Sequence, residues 1–273
     1  MRRKALTGMG LGAAAAVVAG FYLLQPDPGA PLRTRGPATV EIPGGEVSFR
    51  PIGNFQRAGK TVSAPYRTEA VAPFHIMVHQ VTRAEYQACV AAGGCAPVGA
   101  KGGGSLPQTH VSWVDAHAYA VWLAAGTGQA WRLPTAQEWQ MAAAERFGDA
   151  LPERTGLDPG QRMLLQYAQG TLLRGRVRYG LQSAGSYGLN SMGVADLSRG
   201  VWEWTDSCME NATLLPDGRL AEVDHYCGAR IAGGVHRAAV IDFVRDASVG
   251  GCAVGLPPDY LGFRLVRPAG PEW

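Results

Sequence analysis

Asp196-Leu-Ser-Arg-Gly-Val-Trp-Glu-Trp204 is the stretch on which the reading of this chain turns. Strand alternation places Trp202 and Trp204 on one face and Glu203 on the other. Two large rings on one face bury enough area to seed a core. Glu203 then points toward loops rich in donors and acceptors, behind a glycine that lets the backbone turn. The plain alternative is a core strand carrying a solvated carboxylate.

Upstream, three helices announce themselves with one device. Thr82-Arg-Ala-Glu85, Ser112-Trp-Val-Asp115 and Thr135-Ala-Gln-Glu138 each set a hydroxyl three residues before a carboxylate. The hydroxyl satisfies an orphan amide of the first turn and the acid reaches back to the cap's own amide. Ala116, Tyr119, Ala120 and Leu123 line one face of the second helix, which the pattern ends at Gly126. Trp139, Ala142 and Ala143 do the same for the third. Thr39 to Arg50 reads as two short strands joined through Gly44-Gly45 as a hairpin, and Phe74 to Val81 as another strand. His75 and His79 on that strand are too far apart to share a metal easily and read as surface or satisfied histidines. A short helix is expected within Asp158–Tyr167. Strands at both ends with helices between them give the class α+β.

Composition narrows the field. The chain has 273 residues, 47% of them hydrophobic, with a net charge of +3, and nothing in it suggests nucleic acid. Gly and Pro number 37 and 18, which calls for many turns and irregular loops. Residues 1–25, with basic Met1-Arg-Arg-Lys4 ahead of an apolar stretch from Ala5 to Leu24, read as a signal peptide or a signal anchor. In the second case residues 5–24 would hold the chain in the inner membrane. Residues 26–37 form a Pro-rich linker and residues 38–270 one domain. Five cysteines suit an oxidising compartment. Cys89 and Cys95 bracket a short loop and could bridge. Cys208 and Cys227 flank the tryptophan strand and its successor and are the expected structural pair. Cys252 is left over, either as a small buried hydrophobe, as a reactive thiol, or bridged to Cys208 or Cys227.

Four motifs in order carry a resemblance: Val111-Ser-Trp113, Arg132-Leu-Pro-Thr-Ala-Gln-Glu-Trp139, the Trp-Glu-Trp stretch and Leu261-Gly-Phe-Arg264. Together they resemble the formylglycine-generating-enzyme (sulfatase-modifying-factor) domain family from about Val40 to Arg267. The lower half looks most like the branch encoded beside bacterial nitrite reductases. The resemblance implies one C-type-lectin-like domain with much irregular structure.

It also implies a site. Formylglycine-generating enzymes oxidise a cysteine of a client sulfatase with a copper ion held by two cysteines after a Gly-Gly-Ser-Trp segment. Here that segment is Gly233-Gly234-Val235-His236, and the two cysteine positions fall on Ala238 and Phe243. Copper is therefore not expected, because a soft thiolate pair is what selects Cu(I). The polar residues that remain, Cys252, His236, Arg245 and Asp242, are the candidate catalytic group, with Cys252 beside basic residues as a thiolate of lowered pKa. The rival is that Arg237/Asp242 and Arg245/Asp246 are ion pairs pinning loops. The family binds calcium beside its Trp-Glu-Trp strand, and the matching positions are Asp196 and Glu203 through carboxylates and Arg199 and Val201 through carbonyls. Arg199 stands where the family has glycine, and its guanidinium could instead pair with Asp196.

The functional expectation is an exported, periplasmic protein that assists maturation or oxidation in a redox system such as nitrite reductase, acting on a protein or peptide client. Two rivals stay open: a non-catalytic lectin-like module that binds a protein or peptide, and an oxidase tailoring a small peptide.

Overall fold

The structure, a computed structural model, describes residues 36–148, 181–234, 236–241 and 257–270. The expected helix within Asp158–Tyr167 and the apolar stretch from Ala5 to Leu24 lie outside them. Among the described residues no helix is long and apolar enough to cross a membrane.

Six short strands come first: β1 (Thr39–Ile42), β2 (Gly45–Phe49), β3 (Phe55–Arg57), β4 (Lys60–Val62), β5 (Arg67–Val71) and β6 (Phe74–Met77). Three helices follow, α1 (Arg83–Ala91), α2 (Trp113–Thr127) and α3 (Ala136–Ala143). A long hairpin of β7 (Trp202–Leu214) and β8 (Leu220–Gly233) leads to β9 (Arg237–Ile241), β10 (Leu261–Gly262) and β11 (Val266–Pro268). The mixed α+β class is as the sequence implied.

All three capping boxes form, on Thr82/Glu85, Ser112/Asp115 and Thr135/Glu138. The stop of α2 differs from expectation. The helix runs through Gly126 and ends at Thr127, whose hydroxyl donates to the Leu123 carbonyl at 2.7 Å. Gly128 takes the left-handed turn at φ 72°, because a residue without Cβ adopts it freely.

Gly44-Gly45 is not a hairpin turn. β1 pairs with β6 and β2 with β5, both antiparallel. A Cβ on Gly44 would lie 2.6 Å from the Val71 carbonyl oxygen, so this corner is packed against β5 and passes the chain from one sheet to the next. The β1-β6-β11 sheet and the β2-β5 pair flank a larger sheet ordered β4-β3-β7-β8-β9, with β10 parallel to β7. Arg67 on β5 clamps the pair to the large sheet through two hydrogen bonds to Glu210 on β7, at 2.8 and 2.9 Å. Glu210 and a second acid, Glu69, hold the Arg67 guanidinium above its ordinary pKa against the cost of burial.

Two large apolar clusters, with a small third one around Phe55, Ala64 and Ala212, form the core among the described residues. One gathers Tyr86, Tyr119, Leu123, Trp131, Trp204, Phe263 and Leu265 around α1 and α2. The other gathers Ile42, Phe49, Phe74, Ile76, Trp139, Leu197, Ile231 and Val266 around α3. β7 and the Leu261–Val266 segment supply residues to both, Trp204, Leu261, Phe263 and Leu265 to the first and Met209 and Val266 to the second.

Cys89–Cys95 and Cys208–Cys227 are both disulfides. The first closes the end of α1 and the second staples β7 to β8. Bridging of Cys252 to Cys208 or Cys227 is thereby excluded, since each has another partner. Peptide mapping without reductant is expected to recover these two pairs. Replacing Cys208 and Cys227 by alanine should lower unfolding free energy by about 2–4 kcal/mol, read from denaturant titration.

Candidate functional site

Glu203 is fully buried, not solvated. Each of its oxygens accepts two hydrogen bonds. Oε1 takes Gln80 Nε2 at 2.8 Å and Arg264 NH2 at 2.7 Å; Oε2 takes Trp139 Nε1 at 2.9 Å and Arg264 Nε at 2.7 Å. Arg264 is equally buried, and its remaining donors reach the carbonyls of Met77, Val78 and Ala195. All five guanidinium N–H groups therefore have acceptors. The sequence carried a signal for this: Arg264 interrupts the apolar run Leu261 to Val266, and a charge in a buried run needs a partner.

That arrangement decides how the expected calcium ligands fit. The four acceptor positions of the Glu203 carboxylate are filled, and the Arg264 guanidinium supplies the positive charge. Asp196, at φ 61°, accepts the amides of Gly185 and Tyr187. The Arg199 carbonyl accepts the Val201 amide, and the Asp196 carbonyl accepts the Arg199 amide. Asp196, Arg199 and Val201 do line one cleft, of about 210 Å³ including space open to solvent, with Gln80 and Tyr187. Glu203 does not fit as a calcium ligand, so the set lacks its strand carboxylate. Among the described residues no group of three or more His, Cys, Asp or Glu could hold a metal ion.

The residues after Gly233 lie on a different face. β9 pairs with β8 so that Arg237 faces Gly233 and Ala238 faces Ala232. The two glycines are there because rings lie against them. A Cβ at Gly233 would come within 2.4 Å of Trp139, and one at Gly234 within 2.7 Å of Trp202. His236 sits edge-on to Trp202, ring centroids 4.8 Å apart at 85°. Arg237 turns away into the core, with its guanidinium 4.3 Å over Phe49 and one nitrogen donating to the Arg50 carbonyl. Of the candidate catalytic group, His236 is placed here. Asp242, Arg245 and Cys252 lie outside the described residues, as do Phe243 and Asp246.

A stack at the start of α2 is one that the sequence reading missed. Trp113, the first residue of α2, lies flat on His117 one turn later, at 5.0 Å and 13°. The Arg230 guanidinium from β8 covers the Trp113 ring at 3.8 Å and donates to the Asp206 backbone carbonyl at 2.9 Å. Trp113, Trp202, Val240 and Tyr260 are all half-buried and pack on the first core cluster. Trp204 Nε1 donates to the Val111 carbonyl at 2.9 Å, which holds the start of α2 against β7. The arrangement offers half-exposed aromatic surface, a guanidinium and a histidine, groups that take up peptide side chains and backbone. Spacing alone could not bring Trp113 and Arg230 together, because 117 positions separate them.

Replacing Glu203 by Gln, or Arg264 by Met, leaves one buried charge without its partner. Each single change is expected to destabilise the fold by about 3–5 kcal/mol. The double replacement should lose much less than the sum, as a double-mutant cycle in urea would read.

Comparison with known proteins agrees with the fold and the motifs. The family model described as "Sulfatase-modifying factor enzyme 1-like domain" matches residues 25–269, and the chain belongs to that family. The structure of PvdO from Pseudomonas aeruginosa is similar with a TM-score of 0.53 at 20% identity, covering 85% of this chain and 94% of that one. CarF is similar with a TM-score of 0.47 at 20% identity, over 86% of this chain and 99% of that one. No curated protein matches.

Proposed function

We propose that this sulfatase-modifying-factor domain is an exported client-binding protein that assists maturation or oxidation in a periplasmic redox system, nitrite reductase being the client its lower half implies. It works without the copper-held cysteine pair of formylglycine-generating enzymes. The observation that carries this reading is Ala238, a methyl side chain paired opposite Ala232 where that mechanism needs a thiolate. Two disulfides support export, since such bridges persist in oxidising compartments.

Client binding then falls to the face built by Trp113, Arg230, Trp202 and His236. Aromatic rings give large contact area at low entropic cost, and a stacked guanidinium adds an oriented charge. A second reading, a thiol reaction at Cys252, is favoured by one observation: the other four cysteines are paired with one another, leaving Cys252 as the odd one.

Metal analysis of the exported, purified protein is expected to find no stoichiometric copper, and tight one-to-one Cu(I) binding would overturn the proposal. Trp113→Ala and Arg230→Ala should each weaken binding of a nitrite-reductase client peptide by about tenfold or more. Full affinity in both variants would remove the face from the proposal. Loss of function in Cys252→Ala, with unchanged Tm and client affinity, would select the thiol reading instead.

A further inference from the structure

We infer that the Cys208–Cys227 bridge is a thiol–disulfide exchange site that oxidises a dithiol of a bound peptide or protein. The two disulfides differ in their surroundings. Cys89 and Cys95 are both buried, at 0% and 9% exposure, and belong to the first core cluster. Cys227 is exposed and Cys208 half-buried, and neither belongs to a core cluster. A thiolate must reach one sulfur to displace the other, so bridges open to solvent are the ones that exchange. The bridge also spans an irregularity of the β7–β8 ladder. Cys208 pairs with Arg230 and Met209 with Tyr226. β7 thus advances one residue while β8 advances four, which leaves Cys227, Gly228 and Ala229 as a bulge without partners on β7. β8 is exposed throughout from Glu222 to Gly228. Opening the bridge therefore uncovers no core side chain, and the ladder on either side still pairs the strands.

Arg230 joins the bridge to the client face. It stands opposite Cys208 in the ladder, and its guanidinium lies on the Trp113 ring while bonding Asp206. Directly opposed residues of an antiparallel pair have Cβ atoms about 4.5–5.5 Å apart. The sulfur that Cys208 releases thus has a cationic residue as its cross-strand neighbour, which favours the thiolate. A client thiolate attacks Cys227 Sγ, the exposed sulfur. A bond forms between the client sulfur and Cys227 Sγ, and the bridge breaks with its electron pair on Cys208 Sγ, which takes a proton from water. The second client thiolate then attacks the client sulfur of this mixed disulfide and expels Cys227 as a thiolate, protonated in turn. The client dithiol has lost two electrons and two protons, and the bridge has gained both. A soluble disulfide, the class to which oxidised glutathione belongs, restores the bridge by the reverse exchange. This inference rests on the client-binding reading only for the source of the thiols.

The test incubates the purified, folded protein without oxygen with a synthetic peptide carrying two cysteines, then alkylates with iodoacetamide and maps the cysteines by mass spectrometry. One peptide disulfide is expected to form per protein molecule, with Cys208 and Cys227 alkylated and Cys89–Cys95 still closed. Replacing Cys208 and Cys227 together by serine should abolish peptide oxidation. The wild-type result stands without that variant, so the test survives if the variant fails to fold. Persistence of the Cys208–Cys227 bridge until denaturant is added, or opening of both bridges together, overturns the inference. The peptide needs no docking on the Trp113 face. Full exchange in a protein that fails to bind the nitrite-reductase peptide would therefore sustain this inference while the client reading falls.

Discussion

Arg264 reaches Glu203 at the boundary between two aromatic clusters, and the rest of the architecture is arranged so that neither charge meets an unfilled hydrogen-bond site. Separating such a pair from water costs several kcal/mol per ion, which is recovered only when geometry and secondary hydrogen bonds are good. Here Trp139 from α3, Gln80 three residues past β6, and the carbonyls of Met77, Val78 and Ala195 all converge on it. Four separate chain segments must therefore be in register at once. The ion pair specifies the fold by being costly in any other arrangement.

The same constraint positions the candidate site. With Glu203 directed inward, strand alternation leaves Trp202 facing the opposite side, half-buried against His236 and Gly234. Trp204, on the same side, is completely buried and ties α2 to β7 through Val111. The start of α2 is thereby fixed, and Trp113 comes under Arg230. A carboxylate taken up by an arginine is also what removes Glu203 from metal binding. One side chain thus orients Trp202 and is itself fully engaged in hydrogen bonds.

Arginines in this chain fall into distinct environments. Arg264 and Arg67 meet carboxylates, Arg230 and Arg237 lie on aromatic rings, and Arg83 is buried with two nitrogens unpartnered. Guanidinium is weakly hydrated and planar, so rings and carbonyls can hold it where an ammonium would not be tolerated. Arg83 departs from Arg264 in that its Nε and NH1 meet no acceptor among the described residues.

Much of the fold was written in short-range chemistry. Thr82/Glu85, Ser112/Asp115 and Thr135/Glu138 set three helix starts through groups three residues apart, which local sequence is able to specify. Alternation in Trp202-Glu-Trp204 assigned the two faces of β7, and the cysteine spacings marked both bridges. The Gly44-Gly45 corner was misjudged because a hairpin and a sheet-to-sheet passage use the same glycines, and the choice rests on distant Val71. Glu203's clasp, the Trp113–Arg230 stack and the unpartnered Arg83 were settled by the tertiary structure. Each depends on groups brought together from remote segments, and desolvation, which makes such contacts decisive, has no counterpart in a linear sequence.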